Sequence, residues 1–182
     1  APRPFRIANS TTLRIGDLVR VNTAGFLVAS GDTNPVAGVL TGFVDEKGIN
    51  AFSLGYGSRT GATLTGDDTL ATSATNQSRA DYIEGQVVTD PSGDCLWLND
   101  ADSDLAQTNI LQFFDSTGSG RQVSVSSASD ANGQLQLILW DPEGTSNRPA
   151  NPKAADASKG AFRIAENQFG IGIDSATAKN AA

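Results

Sequence analysis

The chain has 182 residues, with 13 basic and 20 acidic side chains, a formal charge of −7, no histidine and one cysteine. Histidine is the usual general base, triad partner and zinc ligand near neutral pH, so its absence disfavours an ordinary hydrolase or metalloenzyme, and the acidic balance disfavours a nucleic-acid partner, which needs clustered cations. Cys95 has no second cysteine to bridge, and no apolar run approaches the roughly 20 residues that cross a bilayer, so no membrane partner is expected.

Residues 1–12 read as an extended N-terminal arm, because Pro2 and Pro4 fix φ and bias their predecessors toward extended geometry. Arg3, Phe5, Arg6 and Ile7 are its anchors. They offer too little apolar area to fold alone, the profile of a segment that orders on a partner, and their positive charge suits an acidic groove. A frayed tail or a strand of the protein's own sheet is the alternative.

Residues 13–173 are predicted as a single β-rich body, with sub-blocks at about 13–66 and 80–173, followed by a flexible tail over 174–182. Strands are expected at 18–21, 26–29 and 36–44, and Asp45-Glu46-Lys47-Gly48 has the Asp-first, Gly-fourth order of a type I turn leading to 49–54. Residues 55–80 are rich in Gly, Thr, Ser and Asn and read as loop around one short strand. Residues 82–89 and 94–98 flank Asp90-Pro91-Ser92-Gly93, which predicts a tight hairpin. One helical turn fits 104–109, and strands follow at 110–114, 121–126 and 134–140, where Leu135, Leu137 and Leu139 share a face by the period of two. After the turn at 141–144 and a loop to Lys159, strands at 161–165 and 169–173 close the body, with Gly170 and Gly172 permitting close backbone approach. Phe5-Arg6-Ile7-Ala8-Asn9 and Phe162-Arg163-Ile164-Ala165-Glu166-Asn167 look alike, but two short strings do not make a repeat architecture. Short strands separated by regular turn signals give an all-β class: a small β-barrel or β-sandwich body with an extended N-terminal arm and long loops.

No catalytic, cofactor-binding or metal site is predicted. Asp100, Asp102 and Asp104 alternate as calcium ligands do, yet Leu105 and Leu111 stand where an EF-hand loop needs Gly and Glu. The glycines of residues 55–61 lack phosphate-loop spacing. Cys95 is expected as a small buried hydrophobe with no histidine to activate it. Asp67 with Asp68, or Asp81 with Glu84, supply the two acids a glycosidase needs, and Tyr82, Trp97 and Trp140 would stack on sugars if exposed, although aromatics in alternating strands are usually core. Asn9 and Asn76 match the glycosylation acceptor pattern.

Gly16-Asp17-Leu18-Val19, Gly38-Val39-Leu40-Thr41-Gly42 and Asp45-Glu46-Lys47-Gly48, then 90–98 with Ala106-Gln107-Thr108-Asn109-Ile110, and finally Gly120 to Ser124 through Gln134 to Asp141, follow one another in an order that resembles tailed-bacteriophage capsid decoration proteins, also called head cement proteins. The resemblance covers most of residues 13–173. It implies a β-barrel or β-sandwich body, a homotrimer, and a structural, non-enzymatic role on the capsid exterior of the virion, with the major capsid protein as partner across capsomer seams. The acidic groove for Arg3, Phe5, Arg6 and Ile7 would then belong to a capsid subunit or a neighbouring protomer. The alternative class is a secreted carbohydrate-binding or adhesion module, with a histidine-free glycosidase third.

Overall fold

The computed structural model describes residues 1–31, 34–51, 62–64, 68–90, 94–140 and 159–169. They are all-β, with strands in three sheets and 3-10 turns at Asn76–Ser78 and Gln107–Asn109. The second turn lies within the single helical turn expected at 104–109. Where the sequence predicts one body, the described residues form two compact units, the first within Ala1–Ala29 and Ala37–Thr89, the second within Ser30–Val36 and residues 90–169.

The first unit holds strands β1 (Arg3–Arg6), β2 (Thr12–Arg14), β3 (Leu18–Val21), β4 (Leu27–Ala29), β5 (Gly38–Asp45), β6 (Thr63–Leu64), β7 (Thr69–Ala71) and β8 (Ile83–Val88). Its main sheet has the order β1-β8-β5-β3-β4, antiparallel throughout, and β2-β7-β6 form a smaller sheet beside it. In β8 the period of two turns Ile83, Gly85 and Val87 inward. They meet a core of Ile7, Leu13, Val19, Leu27, Leu40, Phe43 and Leu70. The arm of the sequence reading is extended, but as β1 of this sheet: Phe5 packs against the core and Ile7 is fully buried, burial worth roughly 1.5–3 kcal/mol for a side chain of that size.

The second unit holds β9 (Leu96–Asp100), β10 (Phe113–Ser116), β11 (Val123–Ser129), β12 (Leu135–Trp140) and β13 (Lys159–Ile164), in the order β11-β10-β12-β13-β9. Phe162 sits at its centre, its ring 6.1 Å from Phe114 at 83° and 6.3 Å from Trp97. Buried Gln134 ties residues 30–36 to this unit: its Nε2 donates to the carbonyls of Gly31 and Asn34, and its Oε1 accepts from the Ser116 backbone N–H and hydroxyl. A buried amide is tolerable when its partners are all present, as here.

Two local expectations are overturned. β8 and β9 flank the predicted tight turn at 90–93 but do not form a hairpin, because β8 completes the first unit's sheet between β1 and β5 while β9 pairs with β13 in the second. Likewise Leu139 does not share the inner face of Leu135 and Leu137. A register shift between Leu137 and Leu139 inserts an extra residue and turns Leu139 outward, 37% exposed against 0% for the other two. The glycine-rich stretch 55–61, the turns at 91–93 and 141–144, Gly170, Gly172 and the tail over 174–182 lie outside the described residues.

The five-stranded sheets of the two units share one topology, and the three-stranded sheet belongs to the first unit alone. Read from its first strand, the first runs β1-β8-β5-β3-β4 and the second β9-β13-β12-β10-β11, which is the same order under a one-to-one substitution of strands. Registers agree across the sheet except for a shift between Phe113 and Asp115 that only the second unit has. Leu18 opposite Val39 corresponds to Phe113 opposite Gln136, Val21 opposite Leu27 to Ser116 opposite Val123, and Phe43 opposite Gly85 to Trp140 opposite Gly160. The register shift after Leu40 falls at the same place as that after Leu137. In both units the chain leaving the first strand makes a parallel bridge to the outermost strand, Ile7 with Leu27 and Ala101 with Val123. Each sheet therefore curls until its edges touch at one end, and among the described residues no ladder closes either into a barrel.

Candidate interaction surfaces

Of the arm residues, Arg3 is exposed at the start of β1, whereas Arg6 is held by its own unit. The Arg6 guanidinium lies 3.3 Å from the centroid of the Tyr82 ring, and its Nη1 donates to the Gln77 carbonyl at 2.8 Å. Arg6 also stands opposite Glu84 across the β1–β8 ladder. Burial raises the Glu84 carboxyl above the usual range, and the Arg6 charge pulls it partly back. Phe5 and Ile7 belong to the core. The structure thus keeps Arg3, Phe5 and Arg6 on β1 with Ile7 directly after it, and spends three of the four on contacts within the unit.

The other candidates also have structural work. Asp81 pairs with Arg79 at 2.6 Å and Asp68 with Arg14 at 2.6 Å, and these arginine hydrogen bonds hold both carboxyls below the usual range. Asp67 lies outside the described residues. Asp102 accepts the Val125 N–H at 2.8 Å and Asp100 stands 3.9 Å from Lys159, so these two carboxylates are directed to different neighbours. Trp97 is buried and Tyr82 lies beneath Arg6. Asn76 is fully buried: Nδ2 donates to the Ile7 and Ile83 carbonyls and Oδ1 accepts the Ile83 N–H, an amide that joins the end of β1 to the start of β8. Cys95 departs from expectation. It precedes β9 and is exposed, its N–H capped by the Asp90 carboxylate at 2.7 Å.

What the sequence reading passed over is an apolar stripe on the outer face of the second unit. In β9 Trp97 points inward, so by alternation Leu96 and Leu98 point out, 42% and 43% exposed. Leu98 lies opposite Ala161, and Ala161 opposite Leu139, which places the three in one row across three strands, with Ala161 buried, 3% exposed, between the two exposed leucines. Arg163, opposite Leu96, and Lys159, opposite Asp100, bracket that row along β13. A sequence signal for it existed in the alternation of 96–98, but Leu139 reaches the row only through the bulge.

A scan against protein-family models and searches of curated proteins and of solved structures return no match for this chain.

Proposed function

We propose that this chain is a structural virion protein that binds the outside of a mature phage capsid and cements contacts between capsomers, as a homotrimer with the major capsid protein as its partner. The observation that carries the reading is where three of the resembling segments fall. Gly16-Asp17-Leu18-Val19 forms the turn into β3, Gly38 to Gly42 forms the bulged part of β5, and Asp45 to Gly48 is the turn that ends it, with Asp45 accepting the N–H groups of Lys47 and Ile49. These are the framework positions of one small β unit, which supports the resemblance at the level of the fold. Arg3 is the arm residue left exposed for a capsid groove.

Co-sedimentation of the purified chain with expanded and unexpanded shells of the phage that encodes it tests the reading. Saturable binding to expanded shells, with a gain in their resistance to heat, is the expected result. Failure to bind either form overturns it.

A further inference from the structure

The equivalence of the two units supplies an internal control for the apolar stripe. Leu98, Ala161 and Leu139 correspond to Pro4, Gln86 and Gly42 in the first unit, by the pairings Pro4 opposite Gln86 and Gln86 opposite Gly42. The same sheet, with the same register shift, therefore forms without leucine at either outer position. The leucines are not demanded by the fold, and each leaves about two-fifths of its surface in water. With Leu96, also outward on β9 and 42% exposed, they put three part-exposed leucines on one sheet face, a candidate contact surface.

Charge selects the occupant. Two cations bracket the stripe: Lys159 pairs with Asp100 at 3.9 Å, and Arg163 leaves the face one positive charge in surplus, in a chain of net charge −7. The rest of every copy is thus acidic, and a second copy offers this face the opposite sign. Stacking two such faces in alignment would set the cations of the middle strand, β13, over one another, so an isologous contact is disfavoured. We infer that the outer face of β9, β13 and β12 docks on an acidic surface of a second copy of the chain, in a head-to-tail contact. Contacts of that kind close into rings when the rotation permits. The inference names the surface behind the homotrimer in the proposed reading and does not depend on capsid binding.

Sedimentation velocity on the intact chain at micromolar concentration tests it. The unaltered chain is expected to sediment as a closed oligomer. Leu98→Thr combined with Leu139→Thr keeps β-forming side chains and should give a monomer with an unchanged melting temperature, each leucine raising the dissociation constant roughly tenfold. Gln86→Ala, on the corresponding face of the first unit, should leave assembly as it was. Lys159→Glu, which removes the charge match without touching the apolar row, should also weaken assembly, and it decides the matter if the double variant fails to fold. A monomeric unaltered chain overturns the inference, and so does an oligomer that survives both the leucine and the lysine changes. A monomer that still coats shells would leave the capsid reading standing and remove this one.

Discussion

Leu111 occupies in the second unit the place that Gly16 occupies in the first. The Gly16 N–H donates to the Leu40 carbonyl at 2.7 Å and the Leu111 N–H to the Leu137 carbonyl at 2.8 Å. The next residues, Asp17 and Gln112, accept from the N–H groups of Leu40 and Leu137 in turn. Both backbones are left-handed, with φ of 95° at the glycine and 70° at the leucine. Glycine meets this geometry without steric cost, whereas leucine does not.

Replacing Leu111 with glycine should therefore stabilise the second unit. A side chain in the left-handed region costs about 1–2 kcal/mol, and glycine returns about 0.5–1 kcal/mol of that through backbone entropy. Leu111 is 61% exposed, so little burial is lost. The expected net gain is about 0.5–1 kcal/mol, read as a higher midpoint in thermal or urea unfolding. Gly16→Ala should go the other way by about 1 kcal/mol, although the site has open space for the methyl group. A lowered midpoint for Leu111→Gly would count against the equivalence of the two turns.

That equivalence was hidden in the sequence. Among matched positions identity survives at Ile15 and Ile110, Leu40 and Leu137, and Gly85 and Gly160, while pairs such as Arg6 with Asp100 and Glu84 with Lys159 have reversed charge. The strings that do look alike, from Phe5 and from Phe162, lie in β1 and β13, which hold different places in their sheets. Alternation did locate β5, β8 and β12, because half-buried strands must alternate. It did not reveal their partners: Thr89 and Asp90 separate two units, and nothing in the short polar run there distinguishes such a link from a hairpin turn. The outer stripe was obscured for a related reason, since a one-residue bulge reverses the face that a period-two count assigns to Leu139.

Gly85 and Gly160 keep their identity because each gives room to the matching leucine. A Cβ on Gly85 would lie 2.5 Å from Leu27 Cδ2 and 2.8 Å from Leu40 Cδ1, and one on Gly160 would lie 2.7 Å from Leu137 Cδ1. Alanine at either position should cost about 1–3 kcal/mol through overpacking. Pairing Gly160→Ala with Leu137→Val should recover part of that loss, and a double-mutant cycle measures the coupling. Additive losses would mean that the leucine is not what excludes the methyl group.

The N-terminal strand should prove integral to the first unit. Asn76→Ala strips its partner from the Ile7 carbonyl and from the Ile83 N–H inside the core, while the Ile83 carbonyl keeps the Ile7 N–H, a change expected to cost roughly 2–3 kcal/mol. Deletion of residues 1–10 removes β1 and the buried Ile7 together and should unfold the first unit. Hydrogen exchange resolves the outcome by unit, with protection lost over 38–45 and 83–88. Full protection in the truncated chain would show that β1 is dispensable.

Acid should act on the first unit with two opposite signs. Burial raises the folded-state pKa of Glu84, so the native state binds that proton more tightly than the unfolded chain. Glu84 thus destabilises at neutral pH, and stability rises as pH falls through its raised pKa. Asp68 and Asp81 are held low by Arg14 and Arg79, so their contribution is present above the ordinary aspartate pKa and is lost only as pH falls through their lowered values. Both aspartate pairs are reached by solvent, and salt should suppress their part. Glu84→Gln removes the cost of the buried charge while keeping the shape, so it should melt higher than the unaltered chain at neutral pH. The gap should close as pH approaches the ordinary glutamate value, about 4.3, where the unaltered side chain is protonated as well. A gap that stays constant across that range, or a variant that melts lower at neutral pH, would show that Glu84 is stabilised as an anion by Arg6 and that its burial is not the governing term.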